Sequence, residues 1–245
     1  MNSPSPVFSR ILVCIPAFNE SRALSHTLSG LILKIKNNCE ILVIDDGSED
    51  ETLSIASKHG VKTARLPVNL GYGAALQTGY KYAVRNQYDF LVQMDADGQH
   101  EPECIDDLLA PILDGKADLA IGNRFHDKCN YLSPFLRKCG RIFFSIIFKI
   151  FCGKSISDPT SGFRAMNSKT FKMLIDDDFP SDYPDVDVLI MLEKNNVRIV
   201  EKDVKMYPAA GKSMHSGFFH PFFYLFKMLL SIFIRLLRFA LKEVK

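Results

Sequence analysis

The chain has 245 residues, 47% hydrophobic and 24% charged, a balance that fits a folded protein and excludes a disordered one. Thirty Lys and Arg against 28 Asp and Glu leave a formal charge of +2, so no global field argues for nucleic acid as a partner. Nowhere do roughly eighteen apolar residues follow one another without a charge, which argues against a conventional transmembrane span.

Residues 1–9 are rich in Ser and Pro and are expected to form a flexible tail without the charged-then-apolar order of a signal peptide. Ile11 to Ile15 is a continuous apolar run, as in a strand buried on both faces, and it ends in Pro16-Ala17-Phe18-Asn19-Glu20. Asn19 is placed to cap a helix whose Leu24, Leu28, Leu31 and Ile35 share one face. A second buried run, Ile41 to Ile44, stops at Asp45-Asp46-Gly47-Ser48, and a helix to about Lys58 follows. A short strand near 61–65 leads to Asn69-Leu70-Gly71-Tyr72-Gly73 and a helix over 74–85. The next strand runs from Phe90 into Asp95-Ala96-Asp97-Gly98-Gln99-His100. Pro102 then opens a helix with Ile105, Leu108, Leu109, Ile112 and Leu113 on its inner face, before a strand at 119–121.

Repeated strand-then-helix units predict an α/β fold with a mostly parallel sheet covered by helices on both faces. Ligands of such sheets bind outside the carboxyl ends of the strands, where Asn19-Glu20, Asp45-Asp46 and Asp95-Asp97 all fall. Two carboxylates two residues apart can reach one hard divalent cation, and Gln99 could add a carbonyl oxygen. The same residues alone would also make a polar turn. His100 reads as a group behind such an ion, since an oxygen site needs no imidazole. The glycines at 71 and 73 do not begin a dinucleotide fingerprint, because the third glycine position holds Leu76 and the motif does not follow the first strand.

The segments IPAFNE (15–20), IDDGSEDET (44–52), NLGYGAALQTG (69–79), MDADGQH (94–100), IGNRF (121–125) and SDPTSGFRAM (157–166) resemble, in order, those of inverting family 2 glycosyltransferases with a GT-A fold. Within that family the chain is most similar to the polyprenyl-phosphate glycosyltransferases, such as dolichyl-phosphate mannose synthases. The resemblance implies that Pro16, Phe18, Glu20, Asp46 and Gly71 serve a UDP- or GDP-sugar. It also implies that Asp95, Asp97 and Gln99 hold Mg2+ or Mn2+ at the diphosphate. Arg124 would bind a phosphate as a planar fork, and Ser161 and Arg164 would lie on the acceptor side. The stretch through Lys128 to Pro134 is long enough for a lid. Asp185 and Asp187 stand where inverting relatives place a base, which a hydroxyl acceptor requires and an ionised phosphate does not; they also read as caps of a helix from Val188. The family's arginine before the later Gly-x-Ser is replaced by Ala210, leaving Lys212 and Ser213 as phosphate contacts.

Two apolar stretches carry bases: one from Arg141 to Phe151, within a helix expected at 134–152, and one from Phe222 to the C-terminus; Arg137, Lys138 and Arg141 follow the expected lid. At 100° per residue, Lys227, Ser231, Arg235, Arg238 and Lys242 fall within roughly 80° of one another, as in an interfacial helix. A core-packed helix with a solvated basic stripe has the same pattern. The expected organisation is thus a tail at 1–9, a transferase domain at 10–215 and a basic amphipathic membrane-associating helix at 216–245. The expected activity is sugar transfer to polyprenyl phosphate for cell-envelope glycan synthesis, on the cytoplasmic face of an anionic membrane, with room for a small membrane-protein partner. Transfer to a saccharide or lipid hydroxyl is the alternative, and a non-catalytic nucleotide-sugar module a third. The six cysteines, without C-x-x-C or zinc-like spacing, agree with a reducing compartment.

Overall fold

A computed structural model describes residues 9–35, 39–125, 135–182, 184–207 and 227–234, the side chains of 135–137 excepted. Seven strands form one sheet in the order β3-β2-β1-β4-β6-β5-β7. They are β1 (Ile11–Ala17), β2 (Cys39–Asp45), β3 (Lys62–Arg65), β4 (Phe90–Gln93), β5 (Leu119–Asn123), β6 (Arg164–Asn167) and β7 (Ile199–Asp203). The strands β1 to β4 pair in parallel, joined by α1 (Ser21–Lys34), α2 (Thr52–Lys58) and α3 (Tyr72–Arg85). Their continuous apolar runs are explained by helices on both faces, since Leu12, Val13, Cys14 and Ile15 are all fully buried. Pro16 is tolerated because β4 pairs with β1 only as far as Cys14, so the missing N–H falls beyond the last rung on that side.

The parallel order breaks at β6, which runs antiparallel to both β4 and β5. The start of β6 therefore arrives at the edge where β1, β2 and β4 end. Beyond β5 lies α5 (Phe135–Cys152), which packs through Phe144 and Phe148 against the core with α7 (Val186–Lys194). The other helices among the described residues are α4 (Cys104–Leu113), the short α6 (Ser168–Lys172) and a helical segment at 227–234.

Three local expectations are corrected. Asn19 does not cap α1: it sits at φ 56°, and its side-chain oxygen accepts instead from the Glu49 amide at 2.9 Å. Leu113 is half exposed at the end of α4, where the helix runs past the sheet. The helix expected from Val188 begins at Val186, and Asp185 at its N-cap makes no side-chain capping bond. Among the described residues no helix is long and apolar enough to cross a membrane.

Candidate active site

The loops after β1 and β2 are stitched together by side chains that accept from backbone amides. Ser48 Oγ accepts from Asn19 N at 3.0 Å, Thr52 Oγ1 from Glu20 N at 2.9 Å, and Asp50 from Ser21 N at 3.1 Å. Pro16 is buried within β1, while Phe18 and Glu20 are partly exposed on this rim. Asp46 is almost fully buried, and its two oxygens accept from Leu70 N at 2.8 Å and Gly71 N at 3.0 Å. It therefore fixes the turn that opens α3. Gly71, at φ 103°, is required there, because a Cβ would also lie 2.7 Å from the Ser181 carbonyl.

Asp95 and Asp97 follow β4 at the same edge. Asp97 Oδ1 accepts from Gln99 N at 3.0 Å and its Oδ2 from Gln99 Nε2 at 2.7 Å, so Gln99 steadies Asp97 with its amide N–H. His100 is buried and stacks on Phe163 with ring centroids 4.7 Å apart. Its Nδ1 accepts from Asp95 N at 3.1 Å, which leaves the ring's proton on Nε2. Burial holds its pKa down to about 4, so the ring is neutral and supports the loop from behind.

Burial raises the pKa of Asp95, and burial together with the neighbouring Asp95 charge raises that of Asp97. Burial and the same two carboxylates push Glu20 up to about 7. Carboxylates that repel one another at a partly exposed edge suit a hard divalent cation. Among the described residues no three His, Cys, Asp or Glu side chains form a complete cage. A hard divalent ion needs only one or two carboxylates where a substrate's phosphates complete its shell.

The β6 side closes the site. Arg124 presents Nε and Nη2 to Asp158, at 2.6 and 3.1 Å, with Nη2 also 3.2 Å from the Thr160 carbonyl. The fork expected to bind phosphate thus holds the 158–160 turn. Arg164, only 4% exposed, reaches the carbonyls of Ser161, Pro184 and Pro159 and lies 3.6 Å from Asp185. Ser161 is buried, its hydroxyl accepting from Phe163 N at 3.3 Å. Asp187, also buried, accepts from Ser231 at 2.6 Å, whereas Asp185 stays partly exposed near Arg164. The chain after β7 is pinned beside the acidic pair, Tyr207 N donating to Gln99 O at 2.8 Å. Lys212 and Ser213 lie outside the described residues, as do Lys128 and the expected lid.

Three side chains were not singled out from the sequence, the buried Gln93 and Tyr80 and the partly buried Tyr72. Gln93, at the end of β4, donates to Tyr72 Oη at 3.1 Å and accepts from Tyr80 at 2.7 Å, and Tyr72 donates to Asp95 Oδ1 at 2.7 Å. A glutamine inside the run Phe90-Leu91-Val92-Gln93-Met94 was the available signal, since a buried polar group needs partners.

The family 2 glycosyl transferase model matches residues 12–175, two thirds of the chain and the whole acidic edge. The chain belongs to glycosyltransferase family 2. This glycosyltransferase is 34% identical over 224 residues to an uncharacterized protein of Methanocaldococcus jannaschii, covering 90% of this chain and 91% of the other. It is 28% identical over 214 residues to the UDP-N-acetylglucosamine–dolichyl-phosphate N-acetylglucosaminyltransferase of Methanococcus voltae, covering 80% of this chain and 84% of that one. With the polyprenol monophosphomannose synthase of Mycolicibacterium smegmatis it shares 33% identity over 67% of this chain and 64% of the other. The fold is that of glucosyl-3-phosphoglycerate synthase from Mycobacterium tuberculosis, with a TM-score of 0.72, 18% identity, and coverage of 92% of this chain and 80% of that one. That enzyme has also been solved with Mn2+ and UDP-glucose, a structure matched at TM-score 0.70, 17% identity, and coverage of 92% and 79%. The GT-A α/β fold and the likeness to polyprenyl-phosphate glycosyltransferases expected from the motifs are thereby shown.

Proposed function

We propose that this glycosyltransferase moves a sugar from a UDP- or GDP-sugar to a polyprenyl phosphate at the cytoplasmic face of a membrane, as a peripheral protein without a span. The observation that carries the reading is the Asp95–Asp97 edge flanked by elements whose outer sides are apolar. On α5, Ile142, Phe143, Ile146 and Ile150 are exposed, and on the helical segment 227–234 so are Leu229, Leu230, Phe233 and Ile234. Soluble proteins seldom present so many large apolar side chains together, and such helix faces suit insertion at lipid headgroups. The relatives named for dolichyl and polyprenyl acceptors support the same class of substrate.

One feature of the docking expectation changes. Lys227 ion-pairs with Asp182 and Ser231 bonds Asp187, so the described start of the polar stripe faces the protein. The apolar side faces outward and would make the membrane contact; Arg235, Arg238 and Lys242 lie outside the described residues. A cavity of about 350 Å3 between 177–182 and 227–234 carries Asp177, Asp178 and Asp182, a poor match for an anionic lipid head.

Asp95 and Asp97 would hold Mg2+ or Mn2+, as the Mn2+ complexes of the structural relative suggest. Bound there, the ion would offset charge growing on the diphosphate leaving group. Phe18 and Glu20 would line the nucleotide side, Asp46 keeping the Leu70–Gly71 turn in place beside them. Arg164 and the Arg124–Asp158 pair would hold the acceptor-side turn rigid, so that the acceptor oxygen meets the anomeric carbon opposite the leaving group. An ionised phosphate supplies that oxygen without a general base. A hydroxyl acceptor is the second reading, favoured by one observation: Asp185 remains partly exposed beside Arg164 and could take a proton.

The test is incubation with UDP- and GDP-sugars, a divalent ion and liposomes containing polyprenyl phosphate. The reading expects a lipid-linked sugar phosphate; transfer only to hydroxyl acceptors would overturn it.

A further inference from the structure

Asp95 is held by more than its own loop. Tyr72, from the first turn of α3, donates to Oδ1 at 2.7 Å. The direction of that donation is fixed, because Gln93 Nε2 donates to the same phenol oxygen at 3.1 Å and so occupies its acceptor side. The orientation of the Gln93 amide is fixed in turn by the Tyr80 hydroxyl, which donates to Gln93 Oε1 at 2.7 Å. Three donors thus point one way, from the core toward one carboxylate oxygen. Gly162 runs close beside this bond: a Cβ there would lie 2.6 Å from Asp95 Oδ2 and 3.0 Å from both Oδ1 and the Tyr72 oxygen. The Nε2 of His100 stands 3.6 Å from Oδ2, beyond hydrogen-bond length. The Tyr72 bond orients the carboxylate, and Oδ2 is the oxygen without a short donor among these contacts.

We infer that Tyr72, backed by Gln93 and Tyr80, is a positioning residue that makes Asp95 a one-oxygen ligand and so sets the ion preference of the site against Ca2+. The inference rests on the metal site proposed above. Ca2+ commonly takes a carboxylate through both oxygens in a flexible shell of six to eight ligands, whereas Mg2+ demands a compact octahedron that a single fixed oxygen satisfies. A tyrosine that holds one lone pair of Oδ1 and sets the tilt of the carboxylate weakens the bidentate mode relative to binding through Oδ2 alone. Its loss should therefore harm Mg2+ and help Ca2+, an opposite pair of effects that general loosening of the fold does not produce.

The experiment compares the whole protein with Tyr72→Phe and Gln93→Met, each first checked for an unchanged Tm. Dissociation constants for Mg2+ and Ca2+ are measured by competition against Mn2+ using electron paramagnetic resonance, with UDP and with GDP present. Tyr72→Phe should weaken Mg2+ about tenfold, the usual effect of losing a partner behind a metal ligand, while Ca2+ binding holds or tightens. Gln93→Met should move the Mg2+ to Ca2+ ratio in the same direction by less. If both ions weaken by one common factor, or neither changes, the preference does not come from Tyr72, although the metal site stands. If the unaltered protein binds no divalent ion with either nucleotide, the metal reading and this inference fall together.

Discussion

At the scale of single residues the site is a balance of like charges, and its predictions follow from that balance. Asp97→Asn removes one ligand charge at a partly exposed edge, so metal-dependent turnover should fall to background while the Tm stays native; substantial activity at ordinary Mg2+ or Mn2+ would remove Asp97 from the ion. Glu20 gives a pH signature. Its pKa in the fold is about 7, above the ordinary Glu range, because of burial and the charges of Asp97 and Asp95. The folded chain holds that proton more tightly than the unfolded chain, so this contribution to stability is complete below the ordinary range and is lost as pH rises through about 7. The Tm of the ion-free protein should decline across that window. Glu20→Gln should flatten the decline, and so should a bound ion with nucleotide. Much of this cluster was legible in the sequence, because acidic residues after buried strands of a parallel sheet must meet at one edge. The roles of Arg124 and Gln93 were not, since both depend on partners distant in the chain: Asp158 for the one, Tyr72 and Tyr80 for the other.

The elements carry a different kind of information. Period and run length foretold β1, β2, β4 and α1 to α4, but they contain no sign of strand direction. That β6 runs antiparallel is set by the path of the chain through α5, not by its four residues. The packing of α3 on the sheet turns on one residue. Gly79 lies over Cys14, where a Cβ would stand 2.1 Å from the sulfur, so Gly79→Ala should cost about 1–3 kcal/mol by overpacking, read from denaturant unfolding. The two sides of α5 should separate in the same kind of measurement. Phe144→Ala opens a hole in the core and should cost about 3–5 kcal/mol. Ile146→Lys, on the exposed side, should leave unfolding nearly unchanged and weaken liposome binding. Equal effects of the two on stability would contradict the inward and outward assignment of these faces.

For the molecule as a whole, the outward apolar sides of α5 and 227–234 make the expected membrane contact hydrophobic more than electrostatic. Liposome binding should therefore persist when salt shortens the screening length to a few ångströms at about 1 M, and release by salt would return the contact to the bases. A second consequence lies in the direction of β6. The chain leaves the active edge at Asn123 and comes back to the same edge at Phe163, whose carbonyl accepts from Gly122 N at 2.8 Å, and the Arg124–Asp158 pair fastens the two ends. Residues 124–163 are thus a detour that starts and finishes at one doorstep, while the strands that build the nucleotide side continue without them. A segment anchored this way can be exchanged between relatives as a cassette. Swapping 124–160 for the matching stretch of another family member, with Gly162 and Phe163 kept because they lie against Asp95 and His100, should change which acceptor is used and spare the affinity for the sugar nucleotide. Lineages of this family would then be free to diversify acceptors by rewriting one detour, with the donor half of the enzyme left as it is.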